Sequence, residues 1–288
     1  MSTTNAFTVD VEDYFQVEAF SQVIDRATWD KFSCRVEKNT DSILELLDEA
    51  DVKGTFFVLG WIARRYPNLI RRISDMGHEI ASHGMSHQLI YKQDYNVFKQ
   101  ETTESKLLLE DISQQPVNGY RAATYSITNK SLWALDILCE LGFKYDSSIF
   151  PILHDRYGIR DIRPEPHVLT TEKNNKIVEF PISVYKNRLF NLPISGGGYF
   201  RLYPYLFTKY MLKKLNNDKK EFIFYIHPWE IDNEQPRIRG IKRSTKFRHY
   251  NNIGRCRNRL EKLLRDFKFT TVSEVLGDLN LLDKEVTN

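Results

Sequence analysis

Cysteine is scarce in this chain: three in 288 residues, Cys34, Cys139 and Cys256, odd in number and far apart. Such a set spells neither a disulfide framework nor a zinc ribbon, and it suits a reducing compartment. No stretch approaches the ~18 apolar residues of a membrane-spanning helix. The opening residues, Met1-Ser2-Thr3-Thr4-Asn5-Ala6, lack a basic segment followed by an apolar run. No secretory signal is therefore expected, and the expected location is cytoplasmic. Charge of one sign is not in large excess, at +3 net, which argues against a nucleic-acid partner. The turn Ser195-Gly196-Gly197-Gly198 lacks a Gly-x-x-x-x-Gly-Lys pattern, so it does not read as a phosphate loop. There is no internal repeat, low-complexity linker or clear boundary. What remains is 41% hydrophobic and 27% charged, an ordinary globular make-up with ample length for a core.

The chain alternates strand and helix. Residues 6–11 are apolar and β-prone. Asn39-Thr40-Asp41 caps an expected helix over 42–50. Strand 54–59, a helix over 68–76 opened by Pro67, and a short strand over 77–81 follow. A long charged helix is expected over 95–112, with Glu101, Glu104 and Glu110 on its solvated face. Further strands are expected near 118–121, 177–184, 221–226 and 268–272. Further helices are expected after Asn129, over 205–215 and over 252–266, and residues 154–167 read as a long loop. This rhythm implies a parallel sheet with crossover helices, whose chemistry sits at the C-terminal ends of its strands.

Two places carry candidate chemistry. The first strand runs into Asp10-Val11-Glu12-Asp13, where Asp10 and Glu12 point to one side and Asp13 to the other. That pattern suits either a polar turn or a catalytic strand end. Ser82-His83-Gly84-Met85-Ser86-His87 holds two imidazoles four residues apart. If the chain turns helical there, both rings share a face and can grip one divalent cation, most simply zinc. The same spacing also occurs in ordinary surface or core. One surface stands apart in charge: residues 235–260 hold nine Lys/Arg and no Asp/Glu. It reads as a solvated face or as an anionic contact for a phosphate, a uronic acid or a lipid headgroup.

In order, the chain shows acids after the first strand, His83-x-x-x-His87, Arg121, Asp146-Ser147-Ser148, and His227 after an apolar strand. This order, over roughly residues 6–230, resembles the polysaccharide deacetylases, carbohydrate esterase family 4, also called the nodulation-protein-B homology group. The stretches Thr8-Val9-Asp10-Val11-Glu12-Asp13-Tyr14-Phe15, His154-Asp155-Arg156-Tyr157-Gly158, Gly196-Gly197-Gly198-Tyr199-Phe200-Arg201 and His227-Pro228-Trp229-Glu230-Ile231 are similar to the subgroup encoded in bacterial exopolysaccharide loci. That subgroup carries a C-terminal extension of undefined role. The resemblance implies an α/β fold, a distorted (β/α)7-type barrel, as one catalytic domain over 1–288 with the extension, about 185–288, integrated into it. It also implies metal-dependent hydrolysis of N-acetyl groups on amino sugars.

By this resemblance Asp10 is the general base and the next acid a metal ligand. The family form has two adjacent aspartates, so strand alternation favours Glu12 here and leaves Asp13 as the second choice. His83 and His87 complete the set around one divalent metal, expected to be zinc. Arg121 would hold Asp10 ionised. His227 would protonate the leaving amine, with Asp146 fixing its tautomer. A backbone N–H near Tyr125 would hold the oxyanion. Tyr199, Phe200 and Trp229 are candidates to stack on sugar rings or to serve as simple packing. The third motif of the family has a proline where this chain has Ala123, which would loosen the oxyanion loop. The expected partner is an N-acetylated amino sugar, lipid-linked or nucleotide-linked, with peripheral membrane contact through the basic stretch 237–259. Two other readings keep the same residues: hydrolysis of a small cyclic amide, and sugar binding without catalysis.

Overall fold

The computed structural model describes residues 3–154, 157–186 and 191–282; Asp155 and Arg156 of the quoted His154–Gly158 stretch lie outside them. The strands are β1 (Thr4–Val11), β2 (Thr55–Val58), β3 (Glu79–Ser82), β4 (Gly119–Tyr120), β5 (Tyr145–Asp146), β6 (His167–Thr170), β7 (Lys176–Glu179), β8 (Val184–Lys186), β9 (Asn191–Pro193), β10 (Ile223–Ile226) and β11 (Lys268–Thr270). The helices are α1 (Val36–Glu49), α2 (Gly60–Arg65), α3 (Pro67–Asp75), α4 (Tyr95–Ser113), α5 (Trp133–Glu140), α6 (Gly197–Leu202), α7 (Tyr205–Asn217), α8 (Arg243–Tyr250), α9 (Ile253–Asp266) and α10 (Val272–Asp278).

The main sheet runs β10-β1-β2-β3-β4-β5-β7-β6, and β11 pairs with β1 as well. Every pairing along it is parallel except β6 with β7. The two flanks then meet through irregular backbone. Phe180 N–H donates to Asp146 O at 2.9 Å and Ile182 N–H to Ile149 O at 3.0 Å. Ile223 N–H donates to Ser183 Oγ at 2.9 Å, and Tyr225 N–H to Ser195 O at 3.0 Å. The ring is thus closed by residues 180–183 and 195–196 rather than by a regular ladder, and this is its distortion. Gly196 permits the closure: its φ is +137°, and a Cβ there would lie 2.0 Å from Tyr225 O.

Period-2 alternation sorts the strand residues into two cores. Phe7, Val9, Val11, Phe56, Val58, Ile80, Phe224 and Ile226 face the surrounding helices. Ala6, Phe57, Ala81, Val178, Ile223 and Tyr225 fill the interior. Thr8 and Asp10 follow Ala6 on the inner side of β1, so the interior pattern itself carries Asp10 to the barrel mouth.

Several boundaries differ from expectation. Helix α1 starts at Val36, not at residue 42, and Asn39 and Thr40 are buried in its first turns. Its cap is remote in sequence: Asp13 Oδ2 accepts from Arg35 N–H at 2.6 Å and Val36 N–H at 2.9 Å. The strand expected over 177–184 leaves the ladder after Glu179, because residues 180–183 turn to close the ring. Helices α8 and α10 were not anticipated; α8 is polar almost all round and lacks an apolar stripe to announce it.

Candidate active site

At the C-terminal ends of the strands the side chains converge. Glu12, just past β1, meets His83 and His87, which follow β3. All three are buried, and their ligand atoms lie within 4.8 Å of one another. The His pair does not owe this to a helix. Residues 83–89 are non-helical, with Gly84 at φ +74° and His87 at φ +54°, and this turn brings the two rings to 5.4 Å between centroids. His83 Nδ1 lies 2.8 Å from Arg121 O. A carbonyl only accepts, so Nδ1 carries the proton and Nε2 keeps a free lone pair. Burial pushes His83 down to about 4, so it is neutral near pH 7.

The donor set fits a divalent cation. Glu12 Oε2 is buried without a hydrogen-bond donor, yet lies 2.7 Å from His87 Nε2. Burial acts to raise Glu12, but the His87 and His227 charges outweigh it and bring the carboxyl to about 2. An ionised carboxylate, a lone pair from His83 and a second imidazole are hard-to-borderline donors aimed at one point.

Asp13 is not part of this set. Its oxygens accept from Tyr14, Arg35 and Val36 backbone N–H groups. It lies past the end of β1, where the chain turns, and caps the start of α1.

Asp10 sits beside the cluster. Its Oδ1 accepts from Arg121 Nη1 at 2.6 Å. Arg121 is fully buried, and its guanidinium is pinned on every edge. Nε donates to Ser147 O at 3.1 Å, Nη1 also to Thr8 Oγ1 at 2.9 Å, and Nη2 to Ser147 Oγ at 3.0 Å. The guanidinium lies 4.0 Å above the Phe57 ring. Breaking such a buried pair from one side costs about 3–5 kcal/mol.

His227, the first residue beyond β10, faces the same space. Its Nε2 is 3.8 Å from Asp10 Oδ2 and 3.5 Å from Glu12 Oε1. The carboxylate on its other nitrogen is Glu230, with Oε1 2.7 Å from Nδ1. Asp146, expected in that place, is elsewhere. It pairs in parallel register with Glu179 and accepts from Ser148 Oγ at 2.5 Å. Burial raises Asp146 to about 6 and Glu179 well above its usual range, the latter helped by the Asp146 charge. Burial alone would lower His227; the charges of Glu12, Glu230 and Asp10 overturn this and raise it to about 9.

Two further expectations change. Tyr125 N–H already donates to Ala122 O at 3.1 Å, because Thr124 and Tyr125 both adopt positive φ and fold this segment back on itself. The loop without its proline is pinned instead by Ala122 N–H donating to Ser148 Oγ at 2.8 Å. Trp229 is buried between two imidazoles, 5.1 Å from His227 and 4.3 Å from His249, and its indole N–H points to Glu12 Oε1 at 3.3 Å. A ring enclosed on both faces has none left for a sugar. Tyr199 is half-buried and lines a cavity with Ile152, Leu153 and Asn191, whereas Phe200 is buried against Phe224 at 4.9 Å.

Glu230 and Arg201 are the site residues the sequence reading missed. Glu230 stood inside the quoted His227-Pro228-Trp229-Glu230 stretch, and its i,i+3 spacing on a short helical turn was the available signal.

A carboxylate and two imidazoles thus meet at the C-terminal rim of an α/β barrel, beside an Asp–Arg pair and a histidine. The polysaccharide deacetylase family model matches residues 26–145, and a domain of unknown function, DUF3473, matches residues 147–277. Over residues 26–145 the chain is thus similar to the polysaccharide deacetylases. A chitooligosaccharide deacetylase of Rhizobium leguminosarum bv. trifolii is 31% identical over 109 residues, 34% of this chain and 51% of that protein. A peptidoglycan-N-acetylglucosamine deacetylase of Bacillus cereus is 32% identical over 74 residues, 26% of this chain and 27% of that protein. The matches thus span about half the length of these curated relatives, or less. Among solved structures, a Mycobacterium smegmatis chain described as a polysaccharide deacetylase superposes with TM-score 0.64 at 21% identity, over 97% of this chain and 91% of that one. PuuE allantoinase superposes equally well, with TM-score 0.64 at 12% identity over 99% and 92%. These two likenesses concern the fold.

Proposed function

We propose that this chain is a metal-dependent hydrolase that removes N-acetyl groups from an N-acetylhexosamine in a polysaccharide or its cytosolic precursor. The observation that carries this reading is the convergence of Glu12, His83 and His87 beside the Asp10–Arg121 pair and His227. The names of the matched relatives, deacetylases of chitooligosaccharide and peptidoglycan, support the amino-sugar substrate.

Glu12, His83 and His87 would hold one divalent cation, with zinc the best match to two imidazoles and a carboxylate. Such a cation, when bound, acidifies water and polarises the acyl carbonyl. Asp10 takes the proton from the attacking water, and the Arg121 hydrogen bond keeps it aimed. His227, poised on the same space through Nε2, gives a proton to the departing amine. Tyr199 flanks the sugar at the cavity edge. The whole of 1–288 acts as one catalytic domain, since β10 and β11 from the C-terminal extension pair with β1.

The basic stretch supports an anionic carrier on the substrate or peripheral membrane contact. Lys242, Arg243, Lys246 and Arg248 are exposed around Phe247, itself 60% exposed. Arg259 is not part of that surface; it donates to the carbonyls of Phe200, Arg201 and Tyr203. No helix among the described residues is long and apolar enough to cross a membrane. The three cysteines are unpaired, which supports a cytoplasmic setting.

The test pairs metal content with acetate release from short N-acetylglucosamine oligomers, in wild type and His83→Ala. Bound metal and release, both lost in the variant, are expected. A wild-type protein that takes up no metal would overturn the reading.

A further inference from the structure

The deacetylase model ends at residue 145, yet His227 lies within the match to a domain whose function is unassigned. That second region supplies more than the histidine. Glu230 Oε1 lies 2.7 Å from His227 Nδ1, and its Oε2 accepts from Arg201 Nε at 2.6 Å. Both Glu230 and Arg201 are buried. Arg201 is itself anchored, with Nη1 donating to His249 O at 2.7 Å and Asn251 O at 3.0 Å. The imidazole is held flat as well, stacked on Trp229 at an interplanar angle of 22°.

We propose that Glu230, anchored by Arg201, is the positioning residue of His227, and that the region 147–277 serves to complete the catalytic site. The inference rests on the deacetylase reading for its chemistry. A carboxylate paired to a guanidinium only accepts, so Nδ1 carries a proton permanently and Nε2 is the nitrogen that exchanges one. In the step, water adds its oxygen to the acyl carbon and gives one proton to Asp10. The C–N bond breaks, its electron pair stays on nitrogen, and the imidazolium Nε2–H supplies the amine proton. The imidazole is left neutral with Nδ1–H on Glu230, and solvent returns the Asp10 proton to Nε2.

An amide needs that proton because its amine is a poor leaving group. A nitrophenyl ester does not, because its leaving group departs as a stable anion. The experiment therefore compares acetate release from N-acetylglucosamine oligomers with hydrolysis of 4-nitrophenyl acetate, in wild type, Glu230→Gln and Arg201→Lys. Imidazole 15N spectra of the full-length protein, assigned with His227→Gln, report the tautomer independently. Loss of an orienting partner costs about 10–100-fold. We expect that loss in kcat on the amide with KM little changed, ester turnover near wild type, and a hydrogen-bonded Nδ1–H at His227 that shifts in Glu230→Gln. Arg201→Lys, which keeps the charge, should recover part of the amide rate. Equal losses on amide and ester, or no loss on either, would overturn the proposal. If wild type hydrolyses neither substrate, the deacetylase reading fails, and the proposed positioning then stands or falls on the 15N comparison: an unprotonated Nδ1 rejects it.

Discussion

Replacing Asp13 by alanine separates a structural acid from a metal ligand. The carboxylate accepts from Tyr14, Arg35 and Val36 N–H groups at 2.8, 2.6 and 2.9 Å. Truncation leaves three buried donors, and each unsatisfied donor costs about 1–3 kcal/mol; with partial access of water we take roughly 5 kcal/mol in all. One gain opposes this. Burial pushes the Asp13 carboxyl from an ordinary 3.8 up to about 6, a cost near 3 kcal/mol at neutral pH that alanine removes. The net expectation is a loss of about 2 kcal/mol near pH 7. The sign with pH follows from linkage. A folded carboxyl that holds its proton more tightly than the unfolded one contributes most below about pH 4, and wild type loses that contribution as pH rises through about 6. The gap between wild type and Asp13→Ala should therefore narrow with rising pH. Urea midpoints at about pH 5 and 7, with metal per chain by mass spectrometry, measure both quantities. An unchanged midpoint together with lost metal would refute the capping argument and make Asp13 the ligand.

Other changes are expected elsewhere. Asp10→Asn should lower kcat by about 10²–10⁴-fold with metal retained; loss of metal would place Asp10 among the ligands. Glu179→Gln should flatten the pH dependence of stability. Burial, helped by the Asp146 charge, holds the Glu179 carboxyl well above its usual range, so wild type loses stability as pH rises beyond the ordinary carboxylate range. A melting-temperature series in which both proteins fall with equal slope would reject this.

Much of the site was legible because strand ends announce themselves. Asp10 and Glu12 follow an alternating apolar run, and His227 follows another. His83 and His87 do converge, but by another geometry than the one expected: a glycine at positive φ, not a helical turn, joins them. The partner of His227 was misassigned to Asp146, since nothing local tells which of several acids a histidine will meet. That depends on how residues 197–202 and 228–231 pack, which is a tertiary matter. The start of α1 was missed for the same reason, because its cap lies 23 residues earlier in the chain. Helix α8 stayed hidden because its residues are almost uniformly polar.

The pairing of β1 has a consequence for biosynthesis. Of the described strands this one is made earliest, yet one of its edges waits for β10 and β11, more than 200 residues later. At about 5–20 residues per second of translation, that edge stays unpaired on the ribosome for on the order of ten to forty seconds. Asp10 and Glu12 meanwhile ride on a nascent strand that His227 has yet to join. A chain released early would carry the acids and the His83–His87 turn without His227, and would expose an apolar edge to its neighbours. The last hundred residues thus decide both when the candidate site is complete and when the chain becomes safe from aggregation.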